Sequence, residues 1–182
     1  MKNKNGKNLY SSTNFQKILS FLVDNPSREF LVKEIQKATA ISKAGVYIAI
    51  LELVKQGLVF RKGEGRSFLY SLNYEDPLAK QFKAFKNVLF LRTTLSKLKS
   101  ASKKIILYGS ASRGEDTHES DIDLFIVSRE PQAVKEIIAS LKTKRKLQAV
   151  VKTPTDIVEF EAKEHVFWKE VDRGIVLWEE KE

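Results

Sequence analysis

A chain of 182 residues with 42% apolar and 30% charged content can bury one or two cores and is too apolar for a disordered tail. It has no cysteine, which excludes disulfides and thiolate zinc sites. The net charge is +9 and uneven, with 18 Lys/Arg against 7 Asp/Glu in residues 1–100, and 14 against 16 in residues 101–182. A basic first half suits a polyanion, and a nearly neutral second half suits a more local chemistry. No apolar run reaches the roughly 18 residues of a membrane span. The basic start MKNKNGKN leads into no long apolar signal core, so a cytoplasmic protein is expected.

Residues 1–12 carry no clear period and are expected to be weakly ordered. Asn14 is placed to cap a helix with Phe15, Ile18, Leu19 and Leu22 on its apolar face, ending near Asp24-Asn25-Pro26. A connection over 27–30 precedes a short helix marked by Leu31, Ile35 and Ala38. After a turn at 39–41, Ser42 caps a third helix over 43–56, with Val46, Ile50, Leu53 and Val54 inward, and Gly57 closes it. The period then becomes extended. Residues 58–62 and 67–72 read as strands around the turn Gly63-Glu64-Gly65.

Three short helices and a hairpin make a helix-turn-helix with a β-wing. The stretch KAGVYIAILELVKQGLVFRKGEGRSFLYSLN, 43–73, resembles the winged-helix repressors of archaea and bacteria. The resemblance implies a third helix in the major groove of double-stranded DNA, with Ser42, Lys43 and Tyr47 facing it. It also implies phosphate contacts from the wing through Arg61, Lys62 and Arg66. Winged helices also serve as dimerisation or protein-docking modules, and that alternative stays open.

A helix follows over 78–98, with Leu78, Phe82, Phe85, Val88, Leu89, Leu91, Leu95 and Leu98 as its apolar positions. It is wide enough to link two domains or to pair two copies as a homodimer.

The segment IILYGSASRGEDTHESDIDLFIV, 105–127, organises the second half. An apolar strand enters Gly109-Ser110, a polar loop follows, and Asp121-Ile122-Asp123 opens a second apolar strand. Residues two apart on a strand share a face, so both carboxylates point the same way and repel unless a cation sits between them. Mg²⁺ favours such oxygen ligands, with Mn²⁺ a substitute. Gly109 permits a close approach to a ligand, and Ser110 can donate to a phosphate oxygen. The plain structural alternative is a pair of solvated aspartates at a strand start.

Residues 101–180 resemble the minimal nucleotidyltransferase domain of the DNA polymerase beta superfamily, chiefly through Gly109, Ser110, Arg113, Gly114, Ser120, Asp121 and Asp123. The resemblance implies a nucleoside triphosphate bound with Mg²⁺ and transfer of its nucleotidyl group to an acceptor. Asp121 and Asp123 would be the catalytic and metal-binding acids, Gly109 and Ser110 the phosphate turn, and Arg113 the partner of departing pyrophosphate. It also implies a small helical partner protein for domains of this type. His118 reads as a solvated loop residue.

The superfamily places a third carboxylate on a later strand. Here a helix over 133–141 and a basic connector over 142–146 lead to a strand over 147–151 that holds no acid. Gln148 is neutral, and Asp156 and Glu159 read as first-turn residues of the next helix. Trp168 and Trp178 stand among apolar neighbours and read as core, and 175–178 as a closing strand.

The expected architecture is therefore two domains, all-α with a β-wing (winged helix-turn-helix) followed by an α/β nucleotidyltransferase fold with a mixed sheet. The expected divisions are 1–76, a linking helix 77–100, and 101–182. Three functions remain open: a Mg²⁺-dependent nucleotidyltransferase joined to a DNA-binding module, a transcriptional regulator that binds nucleotide without efficient catalysis, and a protein-interaction scaffold.

Overall fold

The computed structural model describes residues 13–63 and 67–181. The expectations for 1–12, for the 64–65 part of the wing turn and for Arg66 lie outside the described residues. The chain forms two compact units, Met1–Lys83 and Ala84–Glu182.

The first unit contains α1 (Asn14–Val23), β1 (Phe30–Leu31), α2 (Val32–Thr39), α3 (Lys43–Lys55), β2 (Val59–Lys62) and β3 (Leu69–Leu72). Its antiparallel sheet runs β1-β3-β2. Three helices with a β2–β3 wing form a winged helix. The inward faces of α1, α2 and α3 supply a core in which Ile18, Leu22, Ile35, Val46, Ile50 and Leu53 are fully buried.

Two local details differ from expectation. Thr13 caps α1, not Asn14: its hydroxyl accepts the Gln16 N–H at 3.1 Å while its own N–H donates to Gln16 Oε1 at 3.2 Å. Two donors satisfied reciprocally outdo one satisfied by a lone asparagine. The expected connection over 27–30 ends in β1, where Phe30 faces Tyr70 and Leu31 faces Leu69. A two-residue strand has no period to read. Ser42 does cap α3, its hydroxyl accepting the Gly45 N–H at 3.2 Å.

A long helix, α4 (Pro77–Leu98), follows, and the division between the units falls within it. The second unit continues with β4 (Lys104–Tyr108), α5 (Gly109–Arg113), β5 (Ile122–Val127), α6 (Pro131–Ser140), β6 (Leu147–Lys152), α7 (Asp156–Lys163), α8 (His165–Asp172) and β7 (Ile175–Glu179). The sheet order is β6-β5-β4-β7. β4 runs antiparallel to β5 and β7, whereas β5 and β6 are parallel, so the sheet is mixed. A parallel neighbour requires a crossover, which α6 supplies.

Alternation splits the sheet into two apolar faces. Ile105, Leu107, Leu124 and Ile126 pack with Leu91, Leu95 and Leu98 of α4 and Val134 of α6. Ile106, Tyr108, Phe125 and Val127 pack beneath α7 and α8, joined by Phe160, Phe167 and Trp168. Trp168 meets Phe125 edge-on at 5.7 Å, and the Trp178 indole donates to the Ser102 carbonyl at 3.3 Å, so both tryptophans act as packing groups. The helical run is interrupted at Glu164, which caps α7 and precedes α8. No helix among the described residues is long and apolar enough to cross a membrane.

Candidate functional site

The face beneath α7 and α8 turns from apolar to polar at the start of β5. Along that face the parallel register sets Phe125 beside Val150, and Asp123 beside Gln148. One step further out, Asp121 meets Lys146, whose ammonium lies 2.9 Å from Asp121 Oδ2. The Lys146 carbonyl accepts the Ile122 N–H at 2.9 Å, so the two chain segments are stitched together at this point.

Burial and the nearby charge of Asp121 push the Asp123 carboxyl above its ordinary pKa. Tyr108, opposite Asp123 on β4, is pushed up to about 12 by burial and by the Asp123 charge, so its hydroxyl stays protonated at neutral pH. Gly109 has φ +69°, and a Cβ there would stand 2.8 Å from Asp123 Oδ2. The glycine is thus fixed twice, by its left-handed backbone and by the carboxylate against it. Ser110 is the second residue of α5 and is half-buried.

The loop between α5 and β5 is held by a buried polar cluster. Asp116 is fully buried and accepts from Arg145 Nη1 at 2.7 Å and from Asn87 Nδ2 at 2.7 Å. Arg145 also donates to the Ser120 carbonyl at 2.9 and 3.3 Å. One arginine therefore clamps both the loop and the residue preceding Asp121, with several charge-assisted bonds sharing the cost of burial. Arg113 donates to Glu115 at 2.8 Å and to Glu170 of α8 at 2.9 Å, so its guanidinium is occupied by carboxylates. His118 is exposed in the loop, and Glu159 pairs with Lys163 within α7. No group of three or more His, Cys, Asp or Glu among the described residues is placed to hold a metal.

On the winged helix, Ser42, Lys43 and Tyr47 lie on the exposed side of α3, together with the exposed apolar residues Ile48 and Leu51. Lys43 and Tyr47 border a depression of about 360 Å³ shared with Lys33, Gln36, Phe68 and Tyr70. The Arg61 guanidinium stacks 3.4 Å from the Phe68 ring centroid, and the Lys62 ammonium lies 3.7 Å from Glu29.

The family described as polymerase beta, nucleotidyltransferase matches residues 73–182. The chain belongs to that family. Within this nucleotidyltransferase domain, Gln148 is the β6 residue beside Asp123, so the group that β6 sets next to the acidic pair is a neutral amide. No curated protein matches the chain. Among solved structures, TrmBL2, described as an archaeal chromatin protein that shows a novel mode of DNA binding, aligns over 88% of this chain and 71% of its own at 9% identity, with a TM-score of 0.29. An alignment of that quality carries neither a fold nor a functional assignment.

Of the residues the structure brings together here, the sequence reading named Gly109, Asp121 and Asp123 as candidates and Gln148 as a neutral strand residue, and passed over Lys146, Arg145 and Asp116. For Lys146 a signal existed, since counting back two from Gln148 puts it on the same face. For Asp116 and Arg145 there was none, because their meeting depends on how the loop and the connector fold together.

Proposed function

We propose that this protein is a DNA-binding regulator whose nucleotidyltransferase domain holds a nucleoside triphosphate with one Mg²⁺ or Mn²⁺ and transfers the nucleotidyl group poorly. The observation that carries this reading is Gln148 beside Asp123. Asp121 and Asp123 share a face, and the raised pKa of Asp123 reflects burial and negative charge that one divalent ion would relieve. The two carboxylates fit one such ion, and no third acid joins them among the described residues. A bound ion would neutralise phosphate charge and polarise a phosphoryl oxygen.

The chain's own groups do the rest. Gly109 lets the backbone pass close to the acids, and Ser110 is the donor for a distal phosphate oxygen. Arg113 must leave Glu115 and Glu170 before it can meet departing pyrophosphate. With a neutral amide beside Asp123, nothing among the described residues completes a second ion site to draw a proton from the acceptor. In the first unit, Ser42, Lys43 and Tyr47, with Arg61 and Lys62 of the wing, form the surface for double-stranded DNA.

A second reading, an active transferase, is favoured by the close approach of the Gly109 backbone to the Asp123 carboxylate, which leaves room there for a phosphate beside the acids. Label transfer from an α-labelled triphosphate to a broad acceptor set separates the two. The wild-type chain is expected to bind a non-hydrolysable triphosphate with Mg²⁺ and transfer little. Gln148→Asp is expected to raise Mg²⁺-dependent transfer about a hundredfold, the scale of one well-placed electrostatic group. Robust transfer by the wild type would establish the transferase reading instead.

A further inference from the structure

Lys146 is the one cation that touches either aspartate of the acidic pair among the described ion pairs, and its backbone leaves it little choice. Its carbonyl is bonded to the Ile122 N–H at 2.9 Å, and the preceding Arg145 is anchored on Asp116 and on the Ser120 carbonyl. Both neighbours of Asp121 in the chain are therefore tied to residues 145–146. The Lys146 side chain is 74% exposed, so its base is tethered while its ammonium meets Asp121 in contact with water. Gln148, two residues on, stands beside Asp123 in the β5–β6 register.

We propose that Lys146 is a built-in counter-ion that competes with a divalent cation for Asp121 and so weakens metal loading of the nucleotide-free site. The inference rests on the acidic pair being the metal site of the proposed function. A metal ion reaching Asp121 must displace the ammonium and tolerate its positive charge nearby, and both effects act against binding. Because the ion pair is exposed and screened by water, its effect on affinity is modest, about fivefold.

The test is titration of the full-length chain with Mn²⁺ alone, with free Mn²⁺ followed by its electron paramagnetic resonance signal. Lys146→Met is expected to bind Mn²⁺ about fivefold more tightly than wild type, and Lys146→Arg, which keeps the charge, to stay near wild type. Because the side chain is exposed, neither change threatens folding. If Lys146→Met and wild type bind equally, and both lose the ion on Asp121→Asn, the competition is overturned while the acidic metal site stands. If neither binds Mn²⁺, or binding survives Asp121→Asn, the metal-site reading falls and this inference falls with it.

Discussion

Asp123 concentrates the conflict between fold and site. It is packed beside Gly109 and Tyr108, partly withdrawn from water, and faces a like charge at Asp121. Its folded pKa therefore lies above its unfolded value. A carboxyl shifted in that direction favours the fold below its ordinary value of 3.8, and that contribution is lost as pH rises through the folded value. At neutral pH the ionised group opposes folding of the metal-free chain. Asp123→Asn is accordingly expected to raise the thermal midpoint at pH 7. The advantage should shrink as pH falls through the carboxylate range, where wild-type Asp123 takes up its own proton. A variant less stable than wild type at pH 7 would contradict this account of the residue. The position of both aspartates was legible from their spacing, because strand alternation is a local property. The identity of their neighbours across the sheet was legible only in part, since register decides it.

At the scale of elements, the helices and strands followed their sequence signals where those signals were periodic. The third helix began at its serine cap, and β4 and β5 began and ended near the apolar runs that mark them. Ser42 was expected at the DNA face, yet its hydroxyl is committed to the Gly45 N–H at the start of α3. Ser42→Ala is therefore expected to cost about 1 kcal/mol in urea unfolding, the usual worth of such a cap, before any effect on DNA is considered. An unchanged midpoint would show that the cap bond contributes nothing. The elements that escaped notice, β1 and the break between α7 and α8, are short and set by pairing or packing rather than by period.

For the whole molecule, charge distribution is the property with the longest reach. The excess of lysine and arginine lies in the half that carries the winged helix. If that surface holds duplex DNA, retention by the full chain should fall steeply with salt, as counterions released on binding reclaim the phosphates. The pair Lys43→Glu with Lys62→Glu should weaken retention across sequences. It should also flatten the salt dependence, by about one logarithmic unit for each phosphate that the variant no longer neutralises. A filter-retention titration at several salt concentrations measures both. Equal retention by wild type and variant, with equal salt dependence, would show that Lys43 and Lys62 neutralise no phosphate.

The sequence by itself determined the two-part architecture, the winged helix, the nucleotidyltransferase signature and the absence of an acid on the strand after the connector. These are local matters of period, caps, turn glycines and residue spacing, and a chain reads them out within a few residues of itself. Only the tertiary structure decided what meets the two aspartates. The parallel pairing of β5 with β6 brought Gln148 beside Asp123 and Lys146 onto Asp121, and the buried Asp116–Arg145 pair clamped the loop between them. Contacts between residues 25 or more positions apart depend on register and burial together, and spacing along the chain specifies neither.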